Sequence, residues 1–333
     1  MDFALTDEQE LLRDSTRALL ARECPPALLR AHMEDLAAAA PLWGHLREFT
    51  AVGVGPVVDL CVLMEELGYV AAPVPFFGSA VLAAPVLEAI GSELVGPVLS
   101  GAQTATLALA GPEGLWALND GPYKSFVPDA EIADLVLAID GRGAVVLLDG
   151  PERYRLEMID PSRPLYDVKT DGTSAAVGVL PDGAVDRVLA RATVALAAEQ
   201  VGTARRLFGM ALDYAKHRIQ FDVPIGSFQA VQHKLADMSL DVERAWSAVY
   251  YAAMTLDADD ADQRRSVHVA KAAAGEAAKR AAKDGIQIHG GIGYTWEHDL
   301  HLFMRRAFGT EALLGTTGWH HDRLGDLLMA GGA

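Results

Sequence analysis

The spacing of apolar residues changes twice along the chain. Over residues 1 to about 100 it is helical: Leu11, Leu12, Ala18, Leu19 and Leu20 define one apolar face of a predicted helix. Thr6, with Gln9 three residues on, forms a capping box that starts this helix. A second predicted helix covers 57–67 and stops at Gly68, a residue type suited to the left-handed position after a helix end. The proline-rich stretch 73–76 reads as a turn. From about 101 to 185 the runs shorten and become β-rich, at 105–110, 135–139 and 145–148. Gly111-Pro112, Asp120-Gly-Pro122 and Asp140-Gly-Arg-Gly143 punctuate them, the pattern of a small antiparallel sheet too short for a complete barrel. From about 186 the helical period returns. The stretch 186–217 holds no proline and carries an apolar stripe through Val194, Ala197, Val201, Leu207, Leu212 and Ala215. Further helices fit 228–254 and 261–287, and the last three long helices suit a bundle. The pattern predicts a mainly α fold with a small β domain, divided at 1–100, 101–185 and 186–330.

Composition narrows the function classes. At 333 residues the chain can bury a sizeable core, and 51% hydrophobic residues exclude a disordered chain. The formal net charge of -17 repels nucleic acid and anionic membranes, so neither is an expected partner. Cys24 and Cys61 lie far apart, without metal or framework spacing, which suits a reducing, cytoplasmic setting. The acidic start lacks the basic and apolar regions of a signal peptide. Pro73, Pro75, Pro85 and Pro97 break the most apolar zone, so no spanning helix is expected there.

Two stretches carry most of the candidate chemistry. Arg218 closes a long predicted helix just before an extended segment, where a guanidinium can grip two phosphate oxygens. Alone it reads first as an exposed helix-end arginine complementing the dipole. Gln287, Gly290, Gly291 and Gly293 form an interhelical loop whose bare backbone N–H groups can approach an anion. No Gly-Lys-Ser/Thr follows, so this is not a Walker loop. His298, Asp299 and His301 share a helix face but lack further ligands at metal spacing, and the His320-His321 pair is weaker; no metal site is expected. No Gly-x-Ser-x-Gly nucleophile elbow occurs.

Taken in order, these segments resemble the acyl-CoA dehydrogenase family. Arg218-x-x-Phe221-x-x-Pro224-Ile225-x-x-Phe228-Gln229-x-x-Gln232-x-x-Leu235-Ala236-Asp237-Met238 is similar to its helix-loop signature. Gln287-Ile-His-Gly-Gly-Ile-Gly-Tyr294 is similar to its glycine loop, and Met1-Asp-Phe-x-Leu-Thr-x-Glu-Gln-x-x-Leu-Arg13 to its usual opening. The resemblance implies an N-terminal helical domain, a middle β-domain, reduced here, and a C-terminal four-helix bundle. It implies dimers, usually paired into tetramers, with FAD at a subunit interface, and Cα–Cβ desaturation of an acyl-CoA thioester. Arg218, Phe221, Gln229, Gln287, Gly290 and Gly291 would then contact an FAD held mainly by the neighbouring subunit.

The departures are specific. The family's base, a glutamate, commonly precedes a Gly-Thr pair; here Leu314 precedes Gly315-Thr316, and leucine holds no proton. The second known placement falls near Ala192, also inert. Glu199, about two turns beyond Ala192, and Glu311, one turn before Leu314, could stand in, but at about 1.5 Å of rise per residue each is several ångströms away, and both read as surface or structural groups. In the segment that flanks the flavin in the family, this chain has Lys124-Ser-Phe-Val-Pro128, with Pro128 in place of a threonine. Asp222 replaces the glycine usual after Phe221. The elements offered to a neighbour's FAD are kept and those serving the chain's own flavin are lost. That predicts the half-site subunit of a heteromeric α2β2 enzyme, resembling short subunits of actinobacterial steroid-degrading dehydrogenases, with a full-length partner and no identified catalytic residue. A homo-oligomeric flavoenzyme with a relocated base and a non-catalytic binding protein on the same fold are the alternatives.

Overall fold

The computed structural model describes residues 3–330; Met1 and Asp2 of the opening motif lie outside the described residues. The fold is mainly α with a small β region. Helix α1 (Asp7–Glu23) starts at the expected capping box, with Thr6 accepting from the Gln9 N–H and Gln9 accepting from the Thr6 N–H. Its inward face carries Leu12, Thr16, Leu19 and Leu20, whereas Leu11 and Ala18 point outward, a rotation of the predicted stripe. Short helices α2 (Pro26–Glu34) and α3 (Ala40–Leu46) follow, then α4 (Val57–Val70).

Gly68 does not end α4 as the sequence reading expects. The helix runs to Val70, and its C-cap is Ala71 at φ 52°. Gly68 serves close approach instead: a Cβ there would overlap the backbone carbonyl of Glu199 on α7 (Ala184–His217). Gly202 makes the reciprocal approach to the Glu65 carbonyl. Two helices this close need no side chain at the crossing, and each glycine gives up helix propensity for it. Around the crossing, the buried Glu65 pairs with Arg205 and accepts from the Tyr250 hydroxyl at 3.0 Å, while Arg17 reaches over from α1 to hold Glu66 at 2.6 Å. These pairs explain how acidic residues sit in an otherwise apolar helix. A π-helical turn (Phe77–Ala83), α5 (Ala84–Ala89) and α6 (Val95–Leu99) complete the first helical stretch.

The strands are β1 (Ala105–Ala108), β2 (Tyr123–Pro128), β3 (Leu135–Ile139), β4 (Ala144–Leu148), β5 (Arg153–Arg155), β6 (Leu165–Lys169) and β7 (Ser174–Val179). They form two sheets, of order β1-β3-β4-β7 and β2-β6-β5. The expectation of a purely antiparallel arrangement is corrected at one edge, because β1 pairs with β3 in parallel, Leu107 opposite Leu137. A parallel pair needs a crossover, and the 109–134 connection containing β2 supplies it. Strand β2 is bulged between Lys124 and Val127, with Phe126 at φ 56°.

Helix α7 then runs unbroken for 34 residues, and its predicted stripe faces the core, Leu212 alone being half-exposed. A tight hairpin, β8 (Ile219–Gln220) with β9 (Val223–Pro224), leads to α8 (Gln229–Asp257). Helices α9 (Gln263–His289), α10 (Leu300–Ala312) and α11 (Thr317–Ala330) end the described chain. Among the described residues, no helix is long and apolar enough to cross a membrane.

Candidate functional site

Helices α7 and α9 lie side by side and end together, with the Tyr214 ring stacked on His289 at 4.4 Å between centroids. Helix α8 starts at the same place, where Lys234 reaches Asp284 near the end of α9 at 2.5 Å. All six predicted coenzyme contacts therefore gather at one end of the bundle. Arg218 is the C-cap of α7, Phe221 the hairpin tip and Gln229 the first residue of α8; Gln287 is in the last turn of α9, with Gly290 and Gly291 just beyond it. Every one of them is exposed.

This end is free to bind. Among the described residues, the side chains of Arg218, Gln229 and Gln287 make no hydrogen bond or ion pair within the chain. Helix α8 has no side-chain cap at Phe228, so its first N–H groups point outward unmatched, a setting that favours an anion. Gly290 adopts φ 65°, ψ -144°, a conformation essentially reserved for glycine, and a Cβ on either loop glycine would meet open space. Arginine, amides, bare backbone and an uncapped helix start suit a pyrophosphate joined to a nucleoside.

The hairpin tip shows where this site departs from an ideal one. Phe221 and Asp222 are both left-handed, at φ 52° and 62°, as a two-residue turn of mirror-image type demands. Phe221 is 87% exposed, its ring edge-on to Phe228 at 6.2 Å. Asp222→Gly should stabilise the chain by about 0.5–1 kcal/mol, because glycine adopts this conformation without the Cβ penalty. Thermal unfolding of the two proteins checks it, and an unchanged or lowered midpoint would count against a strained tip.

At the far end of the bundle lies the turn that carries Leu314. Leu314 is buried at φ 57°, followed by Gly315 at φ 98°, where a Cβ would meet the Trp319 ring at 2.6 Å. The turn is held from below. The buried ammonium of Lys271 donates to the carbonyls of Glu311 and Gly315 at 3.1 and 3.2 Å. His320 Nε2 lies 3.0 Å from the Leu314 carbonyl, so it donates; its Nδ1 must then accept from His268 Nδ1 at 2.8 Å. This bonding requires a neutral His320, whose ring burial lowers to about 3; burial lowers the His268 ring as well. Burial also lowers Lys271 to about 7, against the pull of Glu311.

Both stand-in carboxylates have other tasks. Glu311 accepts from Lys279 at 3.0 Å and from the Thr317 N–H at 2.8 Å, which caps α11. Glu199, 2% exposed, is gripped by Arg163 and Arg306. Ala192 is buried in α7. The candidate metal residues are likewise engaged: His298 Nδ1 accepts from the Leu300 N–H, Asp299 pairs with Arg30 at 2.8 Å, and His301 stacks on Trp296 at 4.6 Å. Sequence reasoning missed Lys271, Arg163 and Arg306. The signal was present in two of them, a lysine inside Val267-His-Val-Ala-Lys-Ala-Ala-Ala274 and an arginine inside Leu302-Phe-Met-Arg-Arg-Ala-Phe308, each a charge on a face that must be buried.

A long helical bundle with an anion-ready end, a small sheet region on its flank and a first stretch of helices defines a class of coenzyme-binding fold. Residues 183–329 match the family model for the acyl-CoA dehydrogenase C-terminal domain. The chain is 32% identical over 320 residues to the acyl-CoA dehydrogenase IpdE2 of Mycobacterium tuberculosis, covering 92% of this chain and 93% of that one. Among solved structures it superimposes on the ChsE4–ChsE5 complex from Mycobacterium tuberculosis with a TM-score of 0.88 at 26% identity, covering 99% of each chain. A variant of the Tcur3481–Tcur3483 steroid ACAD matches with a TM-score of 0.85 at 28% identity, covering 98% of each chain. The chain belongs to the acyl-CoA dehydrogenase family, whose members are FAD-dependent flavoproteins.

Proposed function

We propose that this chain is the half-site subunit of a heteromeric α2β2 acyl-CoA dehydrogenase that desaturates an acyl-CoA between Cα and Cβ, built of domains at 1–100, 101–185 and 186–330. One observation carries the reading: the bundle end keeps its free donors, while the turn at Leu314 has no carboxylate and is locked by Lys271 and His320. Arg218 would clamp the pyrophosphate oxygens, Gln229 and Gln287 would meet the adenosine side, and the N–H groups of Gly290 and Gly291 would line the phosphates, with Phe221 packing alongside. FAD bound there supplies the hydride acceptor, and its flavin ring would belong to a full-length partner subunit. The chain's own contribution is binding and orientation, since Leu314 and Ala192 move no proton. Likeness to one complex of two chains and to one steroid ACAD supports a heteromeric assembly and a bulky steroid-derived acyl group. The homo-oligomeric alternative loses support because Glu199 and Glu311 are both tied into ion pairs.

Purified alone, the chain should be nearly colourless; co-purified with a full-length acyl-CoA dehydrogenase partner, it should carry flavin and turn over an acyl-CoA. Arg218→Ala in that complex should weaken FAD retention by about 10- to 100-fold, the worth of one or two charge-assisted hydrogen bonds, as read by flavin absorbance after dilution. A lone chain that is stoichiometrically yellow and oxidises a thioester unaided sinks the half-site reading.

A further inference from the structure

The β region is a sandwich closed on one side and open on the other. On the closed side β1 lies against β2, where Thr106 donates to the Pro128 carbonyl at 2.6 Å. On the open side the sheets end in β7 and β5; among the described residues β7 pairs only with β4, and β5 only with β6. The two edges differ. Strand β5 is Arg153-Tyr-Arg155, and so short and charged an edge resists pairing. Strand β7 reads Ser174-Ala-Ala-Val-Gly-Val179, without charge or proline, and Ser174, Ala175 and Ala176 are exposed. The Asp149 N–H donates to the Thr173 carbonyl at 2.9 Å, so Thr173 and Ala175 turn their backbone groups toward β4. By alternation, the N–H and carbonyl groups of Ser174 and Ala176 point away from β4, where no strand meets them. The ladder is irregular beyond Val146, where β7 carries the extra residue Val177, so the regular edge stops at Ala176.

Two grooves follow this opening. One, of about 440 Å³, is lined by the apolar Val136, Leu147 and Leu148, with Ser174 and Ala175 at its side. The other, of about 400 Å³, lies between the 148–152 and 169–173 turns. Their rims are acidic: Asp134, Asp149, Glu152 and Asp171 stand against Arg153 and Lys169. Lys169 is already taken, by Glu152 at 3.2 Å and Asp171 at 3.5 Å. Asp134 accepts from the N–H and hydroxyl of Thr104, and among the described residues neither it nor Asp149 has an ion-pair partner.

We propose that this open edge takes an extended segment of a separate partner protein as an added strand on β7, the segment carrying apolar residues at alternate positions and lysine or arginine at its flanks. The backbone groups of Ser174 and Ala176 supply the pairing, the groove over Val136 and Leu148 takes an apolar side chain, and the acidic rims select the basic flanks. Charge decides against a second copy of this chain. Pairing β7 with β7 would bring two acidic rims together in a molecule of formal net charge -17. Strand β7 leads into the start of α7, and Arg218 caps the far end of that 34-residue helix, so the inference stands apart from the half-site reading.

Fluorescence anisotropy on the full chain tests it, with the labelled peptide Lys-Val-Thr-Val-Thr-Val-Lys as probe. At about 50 mM salt this peptide should bind about tenfold tighter than its glutamate-flanked counterpart, and at about 500 mM salt most of that difference should vanish. The same peptide N-methylated throughout its Val-Thr core keeps the charge but cannot pair, and should bind at least about tenfold more weakly. Ala176→Pro deletes an outward N–H and spares the β4 ladder, so it should also cost about tenfold in affinity. Asp149→Lys should weaken the lysine-flanked peptide and strengthen the glutamate-flanked one; this exposed change keeps the test decisive should Ala176→Pro fail to fold. Equal binding of the methylated peptide, native affinity in Ala176→Pro, or indifference to flank charge would each overturn the proposal. Sedimentation without peptide adds one more outcome: a native dimer that Ala176→Pro splits into monomers would assign the edge to a second copy and overturn it as well.

Discussion

Arg306→Ala should destabilise the folded chain by about 3–5 kcal/mol, the usual cost of stranding a buried charge by removing its partner. Asp160 shows why the loss is large. Burial alone would raise its carboxyl; the Arg306 guanidinium overrides burial, and with Ser162 it holds the group below the usual carboxylate range. A carboxyl depressed in this way contributes stability above its unfolded range and loses it as pH falls through the folded value. The variant forfeits that contribution, so the gap to the native chain should be widest near neutral pH and should narrow on acidification. Chemical denaturation at two pH values checks both magnitude and sign. A loss below about 1 kcal/mol would mean that the guanidinium is matched by solvent instead of by Asp160 and Glu199.

Gly202→Ala should cost about 3 kcal/mol or more, or prevent folding. An added methyl would overlap the Glu65 carbonyl and press on the Tyr69 N–H at 2.8 Å. Both are backbone, so no side chain can swing aside, and α4 and α7 must move apart along with the Glu65–Arg205 pair beside them. Gly209, two turns along the same helix, is the matched control: nothing lies within 4 Å of its would-be Cβ. Gly209→Ala should therefore stabilise by about 0.5–1 kcal/mol through helix propensity alone. Opposite signs for two identical substitutions in one helix, read as shifts in urea midpoint, isolate the packing term; equal signs would remove the case for a close crossing.

Much of this architecture was legible in the residues, and the misses have physical causes. The capping box at Thr6 and the long period of α7 are local patterns, and both appear as read. Gly68 was misjudged because the same residue type serves a helix end and a close crossing, and only the partner helix tells them apart. Strands β2, β5, β6 and β7 went unread because Tyr123–Pro128, Arg153–Arg155, Leu165–Lys169 and Ser174–Val179 are short, polar or bulged, and pair across distances no window can see. The bundle-end residues were found through a resemblance, and the structure gathers them at the ends of three helices. The charge cluster was invisible, since Asp160, Arg163, Glu199 and Arg306 lie on separate segments and meet only after folding.

Lys271 and Gln287 stand on the same rod, α9, sixteen positions apart, or about 24 Å along its axis. Erosion at one tip of such a strut need not loosen the other. On the half-site reading proposed above, the Leu314 end can go without a carboxylate while the Arg218 end keeps its free donors, because a long stretch of rigid helix insulates one from the other.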